Sequence, residues 1–513
     1  MINHWWFTRP KRALDSVPEV LALFANNALN IEWEGQRQKH LQLEDALENS
    51  GLKRVGQRRD HTGGGGRTYL AWLKSLGLVF TQESSKKLYL TLAGEALMSG
   101  DSPVAVITNQ VLKYQFPSSF SLGQRVNVDT RFKIHPFLFL LALLDDSRIK
   151  YLTQEEIAKI VITEAETPKS FEKVVARIIA FRNYGDSLFP EGYFEENFNA
   201  TFDKLNDVAN TIINWLNYTQ LIEREKSQRE GSKIEILADR EADVKAILSQ
   251  RYPLIDRPGQ HEYFQRKYGI DPRHSKDTRN LEGTSSITPR MLSEAKVKTA
   301  YIAESLKTPI TSITTELIDK ITIQTGVDAS LVEDILLKYY ATGSLSAFMT
   351  EYFNMAFKGT ECATEFEKAT CTLFSEVFKF QTKHVGPIGL TPDVLIVSDA
   401  DGYQAILDNK AYSKYSINND HHNRMVHNYI NGLANYSQSS APLAFYSYIA
   451  GGFGNRINEQ LAHIYDETGV KGSAITVSNM IKLVEQNVSK PVTHQDIRRI
   501  FSVGRRIQLS DFQ

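Results

Sequence analysis

Pro392-Asp393-Val394-Leu395-Ile396-Val397-Ser398-Asp399-Ala400-Asp401-Gly402-Tyr403-Gln404-Ala405-Ile406-Leu407-Asp408-Asn409-Lys410 is the stretch that most constrains this chain. Two apolar runs, Val394 to Val397 and Ala405 to Leu407, flank an acidic Asp401-Gly402 turn, the pattern of two antiparallel strands joined as a hairpin. Such a hairpin carries Asp393, at the start of one strand, close to Asp408 and Lys410 at the end of the other. Asp408 and Lys410 are two residues apart, so their side chains leave the same face of the strand. Two carboxylates supply the hard oxygen ligands that magnesium takes, and an ammonium beside them stabilises or helps to generate a hydroxide nucleophile. That is equipment for phosphodiester hydrolysis. Strand charges are also found merely solvated, and the spacing alone is a weak signal.

The flanking sequence sharpens it. Glu365 to Phe380 has apolar residues at Phe366, Ala369, Leu373, Val377 and Phe378, a helical period that puts Glu367 on a helix ahead of the hairpin. A polar stretch after Lys410 leads into a helix around Arg424 to Tyr436, and Leu443 to Ile449 reads as a buried strand. Helix, hairpin, helix and strand form an α/β layer with one charged edge.

In order and spacing, four segments resemble the PD-(D/E)xK nucleases, and more narrowly the FokI-type cleavage domain. They are Lys383 to Gly386, Leu407 to Ser413, Phe445 to Ser447 with Gly452 to Asn455, and Arg498 to Phe501. The resemblance covers roughly residues 350 to 513. It implies that Asp393 and Asp408 ligate Mg2+, that Lys410 positions or activates the attacking water, and that a helix glutamate assists. Glu367 fits that last role best, with Glu365 as the alternative. His421, His422 and His427 follow the hairpin, where they either contact the substrate or cap a helix.

Composition bounds the rest. A chain of 513 residues with 42% hydrophobic residues has core enough for several domains. Its two cysteines, Cys362 and Cys371, support neither a disulfide framework nor a zinc site, which fits a reducing cytoplasm. No secretory leader opens the chain, and the strongest apolar run, Phe137 to Leu144, is too short for a bilayer, so no membrane partner is expected.

Net charge is −1, but residues 1 to 90 hold 13 Lys or Arg against 9 Asp or Glu. Arg9, Lys11, Arg12, Arg54, Arg58, Arg59 and Arg67 are the local positive charge that phosphate contacts require, with Thr68 beside them. Gly63 to Gly66 reads as flexible backbone that permits close approach, and lacks the trailing Gly-Lys-Ser/Thr of a P-loop. Arg67 to Leu76 then reads as a helix, followed by short strands at Leu78 to Phe80 and Lys87 to Leu90. Helix plus hairpin is a winged-helix pattern. Asp203 to Leu216, with strands at Thr219 to Ile222 and Lys233 to Leu237, repeats it. Two such modules read an asymmetric double-stranded DNA sequence without a twofold-related partner. For His4-Trp5-Trp6-Phe7 the expectation is packing of the aromatics, with the neighbouring basic residues reaching phosphate.

Val111 to Ser118 and Ile134 to Leu144 resemble the recognition region of the AlwI, PleI and MlyI type IIS restriction enzymes and their nicking relatives, over about residues 1 to 250. Lys113 and Gln115 in that segment either contact DNA or brace a turn. The expected organisation is therefore multidomain α+β. Winged-helix recognition domains occupy 1–145 and 146–250, a helical connector 251–345, and an α/β PD-(D/E)xK nuclease domain 346–513. One active site cuts one strand, so double-strand cleavage implies a transient homodimer of cleavage domains. The acid–arginine pairing that the resemblance leads one to expect on the dimer helix is not evident around Arg424 to Tyr436. Nicking, a second nuclease subunit, or a DNA-binding regulator with a retired nuclease fold are the other readings.

Overall fold

A computed structural model describes the chain apart from residues 56–60, 119–126, 228–230, 258, 280, 282–288, 341–342, 344 and 387–389. The packing divides it into two units, Met1–Glu304 with Ile313–Thr342, and Ser305–Ser312 with Gly343–Gln513. No helix among the described residues is long and apolar enough to cross a membrane.

In the first unit the Gly64–Ser75 helix precedes strands β1 (Val79–Thr81) and β2 (Leu88–Leu90), which pair antiparallel with Phe80 opposite Tyr89. Tyr69, Leu70, Trp72 and Leu73 bury one side of that helix at the spacing its sequence dictates. The glycine run, expected as flexible backbone that permits close approach, is ordered, and what approaches it closely is another helix. The helix begins inside it, and Gly63 takes the left-handed conformation, with φ +79°. A Cβ at Gly66 would stand 2.5 Å from the His40 carbonyl oxygen of the neighbouring Arg37–Asn49 helix. The glycines are there because two helices touch backbone to backbone.

The second module carries a strand that the sequence pattern did not disclose. β3 (Tyr151–Thr153), β4 (Ile222–Ser227) and β5 (Gly231–Ile236) form an antiparallel sheet in the order β3-β5-β4, next to the Phe202–Tyr218 helix. β3 is only three residues long, too short to show alternation. The described residues of 251–279, at the start of the expected helical connector, are fastened to the first module. Tyr268 Oη donates to the Gln110 carbonyl at 2.9 Å, and the Ala93 amide donates to the Gly269 carbonyl at 2.8 Å.

The second unit holds a five-stranded sheet of β6 (Gln381–His384), β7 (Val394–Ser398), β8 (Tyr403–Lys410), β9 (Leu443–Ala450) and β10 (Gly472–Thr476), in the order β10-β9-β8-β7-β6. The expected hairpin is β7–β8, and β9 and β10 continue parallel to β8. β8 is central and buried along its whole length except at Lys410. On one face Ala405 and Leu407 pack with Phe366, Leu373 and Phe374 of the Ala363–Glu376 helix. On the other, Ile406 packs with Met425, Val426 and Tyr429. β6 escaped the sequence reading because it is a polar edge strand, Gln-Thr-Lys-His, with no apolar run.

The helix contact at Gly66 has a direct consequence. Gly66→Ala is expected to destabilise the first unit by about 1–3 kcal/mol through overpacking, read as a lower urea midpoint at unchanged slope. An unchanged midpoint would mean that the two helices are free to separate.

Candidate active site and basic cleft

The hairpin register sets Val394 opposite Leu407, which brings Asp393 across from Asp408 where the strand pair opens. The Asn409 amide donates to Asp393 Oδ2 at 2.6 Å, and Lys410 Nζ lies 2.6 Å from Asp408 Oδ2. Asp408 is 2% exposed, and its other oxygen, Oδ1, is buried without a hydrogen-bond partner. The structure therefore gathers Asp393, Asp408 and Lys410, the three residues that the hairpin pattern singled out.

Their electrostatics are strained. Burial raises the Asp393 carboxyl well above the ordinary range, and the Asp408 charge raises it further, against the opposing pull of Lys410 and the Asn409 amide. For Lys410, burial works against the charge, but Asp408 and Asp393 outweigh it and lift its pKa above the usual lysine value. A buried carboxylate oxygen with nothing to accept from, beside a carboxyl held toward its neutral form, fits a cation ligand. Among the described residues no three His, Cys, Asp or Glu side chains gather closely enough to hold a metal by themselves. A site of two carboxylates completed by water and phosphate is the form that magnesium uses.

Glu367 is engaged with His384, Oε2 to Nε2 at 2.8 Å, and its charge adds to the upward pressure on Asp393. A Cβ at Gly386 would come 2.7 Å from Glu367 Oε2, so the backbone passes close to this carboxylate. Glu365 is exposed, which leaves Glu367 as the helix acid that bears on the site. His384, within the Lys383 to Gly386 segment, pairs in β6 with Val394, next to Asp393.

Two phenols border the site without a sequence signal for it: Tyr448 lies in an apolar run that reads as core, and Tyr429 on a helix that reads as surface. Tyr448 lies opposite Asp408 on β9, and burial, with the Asp408 charge, pushes the Tyr429 phenol up to about 12. Tyr429 sits in a π-helical segment, Arg424–Ile430, which continues the short Asn419–Asn423 helix and gives way to a 3-10 turn at Leu433–Asn435, where one helix from Arg424 to Tyr436 was expected; π-helical turns are frequent at functional sites. His421 Nδ1 bonds the Tyr415 hydroxyl at 2.9 Å, and His422 Nε2 bonds Glu467 at 2.8 Å.

In the first unit, Arg9, Lys11, Arg54, Arg67 and Thr68 line two adjoining clefts of about 1010 and 580 Å³. Arg9 and Arg12 both pair with Asp207, Arg9 at 2.9 Å. Arg67 donates to the Thr62 carbonyl at 2.6 Å and stays exposed, as does Thr68. Of the aromatic cluster, Trp5 and Phe7 are buried, as expected, while Trp6 lines the larger cleft. Arg58 and Arg59 lie outside the described residues. Lys113 and Gln115 are placed as braces and not in the cleft. Lys113 Nζ donates to the Ile270 carbonyl at 2.7 Å, and burial lowers its pKa to about 8. Gln115 exchanges two hydrogen bonds with the Ile255 backbone.

Removing one acid from the strained pair should relieve the fold. Asp393→Asn keeps an acceptor for the Asn409 amide, so in chelator it is expected to raise the melting temperature of the second unit by about 2–4 °C, equivalent to roughly 1 kcal/mol. A lower melting temperature by calorimetry would show that the pair is not strained.

Two family models match the chain: AlwI restriction endonuclease over residues 74–354, and FokI, cleavage domain, over residues 326–508. No curated protein matches it. Among solved structures, restriction endonuclease FokI is 15% identical over 99% of this chain and 100% of that one, with a TM-score of 0.29. FokI bound to DNA is 14% identical over 99% and 100%, with a TM-score of 0.28. The BpuJ1 endonuclease binding domain, in complex with pyrene- and phenanthrene-modified DNA, is 15% identical over 52% and 96%, with a TM-score of 0.36. Those scores are too low to establish a shared arrangement, whereas the first family match spans more than half of the 513 residues. The chain belongs to the AlwI restriction endonuclease family, and with it to the DNA-hydrolysing nucleases.

Proposed function

We propose that the protein is a magnesium-dependent type IIS endonuclease, which binds an asymmetric duplex sequence through its first unit and hydrolyses phosphodiester bonds at a fixed distance outside it. The observation that carries this reading is the convergence of Asp393, Asp408 and Lys410 at the open end of β8, with Asp408 Oδ1 buried and unpartnered.

Asp393 and Asp408 are the carboxylates that would hold the metal, with Glu367 supporting the site. Bound there, magnesium would polarise the scissile phosphate and offset the charge that develops on it. The chain's own residues prepare the rest. The Asn409 amide fixes the orientation of the Asp393 carboxylate, and Asp408 holds the Lys410 ammonium at the rim. Lys410, the one partly exposed residue of β8, is placed to orient the attacking water and to stabilise the phosphorane-like charge. The PD-(D/E)xK assignment rests on this geometry.

For the reading half, the helix–hairpin order of both modules and the β3-β5-β4 strand order of the second support winged-helix domains. The basic cleft supports grip on the phosphate backbone. Transient pairing of cleavage domains would make the cut double-stranded. An exposed acid–arginine pair does exist just ahead of the region where it was sought, between Asp420 and Arg424 at 2.9 Å.

Incubation with plasmid and magnesium tests the reading: linear product is expected, whereas open circles would mean nicking and an unchanged plasmid would contradict it. Asp408→Ala is expected to abolish cutting while duplex affinity stays within about twofold, and Lys410→Ala to slow cutting about 100-fold or more; a cutting Asp408→Ala variant would refute the site. Arg67→Ala is expected to weaken binding to every duplex alike and to lower the salt slope by about one, a result that filter binding across a salt series checks.

A further inference from the structure

Asn206, Asn210 and Asn214 stand at four-residue intervals on the Phe202–Tyr218 helix, which is otherwise buried on nearly every side. The three residues are half-buried and form one polar stripe. Each carboxamide is held by its oxygen. Arg224 on β4 donates from Nη1 to Asn214 Oδ1 at 2.6 Å and from Nη2 to Asn210 Oδ1 at 2.9 Å. Gln154 Nε2 donates to Asn206 Oδ1 at 2.8 Å. Arg224 completes its shell with Ser232 Oγ, at 2.7 Å from Nη2 and 3.0 Å from Nε.

Two features set this network apart from the ion pairs elsewhere in the unit. Among the described residues every partner of Arg224 is a neutral oxygen, and burial lowers its pKa to about 10. A guanidinium has only donors, so it forces the oxygens of Asn210 and Asn214 inward, as Gln154 Nε2 does that of Asn206, and turns the NH2 groups away. No described residue accepts from those three NH2 groups, and none of the nitrogens is among the buried unpartnered atoms. Beside the stripe, Asp207 is neutralised by Arg9 and Arg12.

We propose that Asn206, Asn210 and Asn214 form a row of fixed hydrogen-bond donors that reads acceptor atoms on base edges of duplex DNA, with Arg224 as the positioning residue behind them. The assignment rests on the DNA-binding reading above and names the base-reading surface within it. Neutral amide donors suit base edges, while the Lys and Arg that grip phosphate line the adjoining cleft, which Asp207 of the same helix also borders. Residues four apart advance about 6 Å along a helix, close to the roughly 6.8 Å of two base-pair steps. Because the oxygens are already taken, the bidentate donor-and-acceptor pairing that asparagine makes with adenine is closed to Asn210 and Asn214. What remains is single donation, to guanine N7 or O6, thymine O4 or adenine N7.

The test uses the full chain, with calcium in place of magnesium. Its preferred duplex is first found by run-off sequencing of cleaved genomic fragments, and binding is then measured by fluorescence anisotropy on that duplex, on single-base variants and on a scrambled duplex. Asn210→Ala and Asn214→Ala are each expected to lose about tenfold on the preferred duplex, the worth of one hydrogen bond, with scrambled-duplex affinity and salt slope unchanged. Arg224→Lys, which keeps the charge but not the planar fork, is expected to relax discrimination at the same base positions, measured at a temperature where calorimetry shows the variant folded. Wild-type discrimination in all three variants would overturn the assignment and leave the network as a fastener of the hairpin. Equal loss on both duplexes with a lower salt slope would also overturn it, in favour of phosphate contact. A wild-type chain that prefers no duplex would remove the DNA-binding reading itself, an outcome distinct from the other two.

Discussion

Two carboxylates and one ammonium share the nearly dry end of a central strand, and the cleavage unit is arranged around that crowding. β8 is covered on both faces, so a charge at its end has protein rather than water as its surroundings. Like charges placed there repel strongly, and burial alone already disfavours each of them. Lys410 and the Asn409 amide offset part of that cost, but Asp408 Oδ1 remains without a partner and Asp393 is pushed toward its neutral form. A sheet selected only for stability would have apolar residues at these positions. The strain is intelligible as a site that is incomplete until a cation and a phosphate arrive, in keeping with the way folds break local rules where they function.

The first unit handles charge in the opposite way. Several of its cations are paired with specific acids: Lys53 with Glu44 and Glu48, Arg9 and Arg12 with Asp207, and Arg182 with Glu156. Exposed cations remain where a cleft opens, and one buried arginine, Arg224, is spent on orienting neutral amides. A net charge of −1 over the chain therefore says little about any one face of it.

How much of this was legible in the sequence depended on the range of the interactions. The β7–β8 hairpin, the Ala363–Glu376 helix and both helix–hairpin modules follow from local periodicity and turn residues, and the structure has them within a few positions of where those signals end. The convergence of Asp393, Asp408 and Lys410 was legible for the same reason: a hairpin register is a local property. Contacts between distant segments were not. The role of Gly63 to Gly66 depends on His40 in another helix, which composition could not name. For Lys113 and Gln115 the sequence left DNA contact and bracing both open, and only the distant segment around Ile255 and Ile270 decides for bracing. His384, Tyr429 and Tyr448 gain their place only when β6, the π-helical turn and β9 come together around Asp408 and Glu367.

The most direct test of the central claim is anomalous scattering from a crystal of the protein with duplex DNA and manganese, collected at the manganese edge. A peak about 2.0–2.6 Å from both Asp408 Oδ1 and an Asp393 carboxylate oxygen is the expected result. An ordered hairpin with no peak between those carboxylates, or with the metal held elsewhere in the unit, would contradict it.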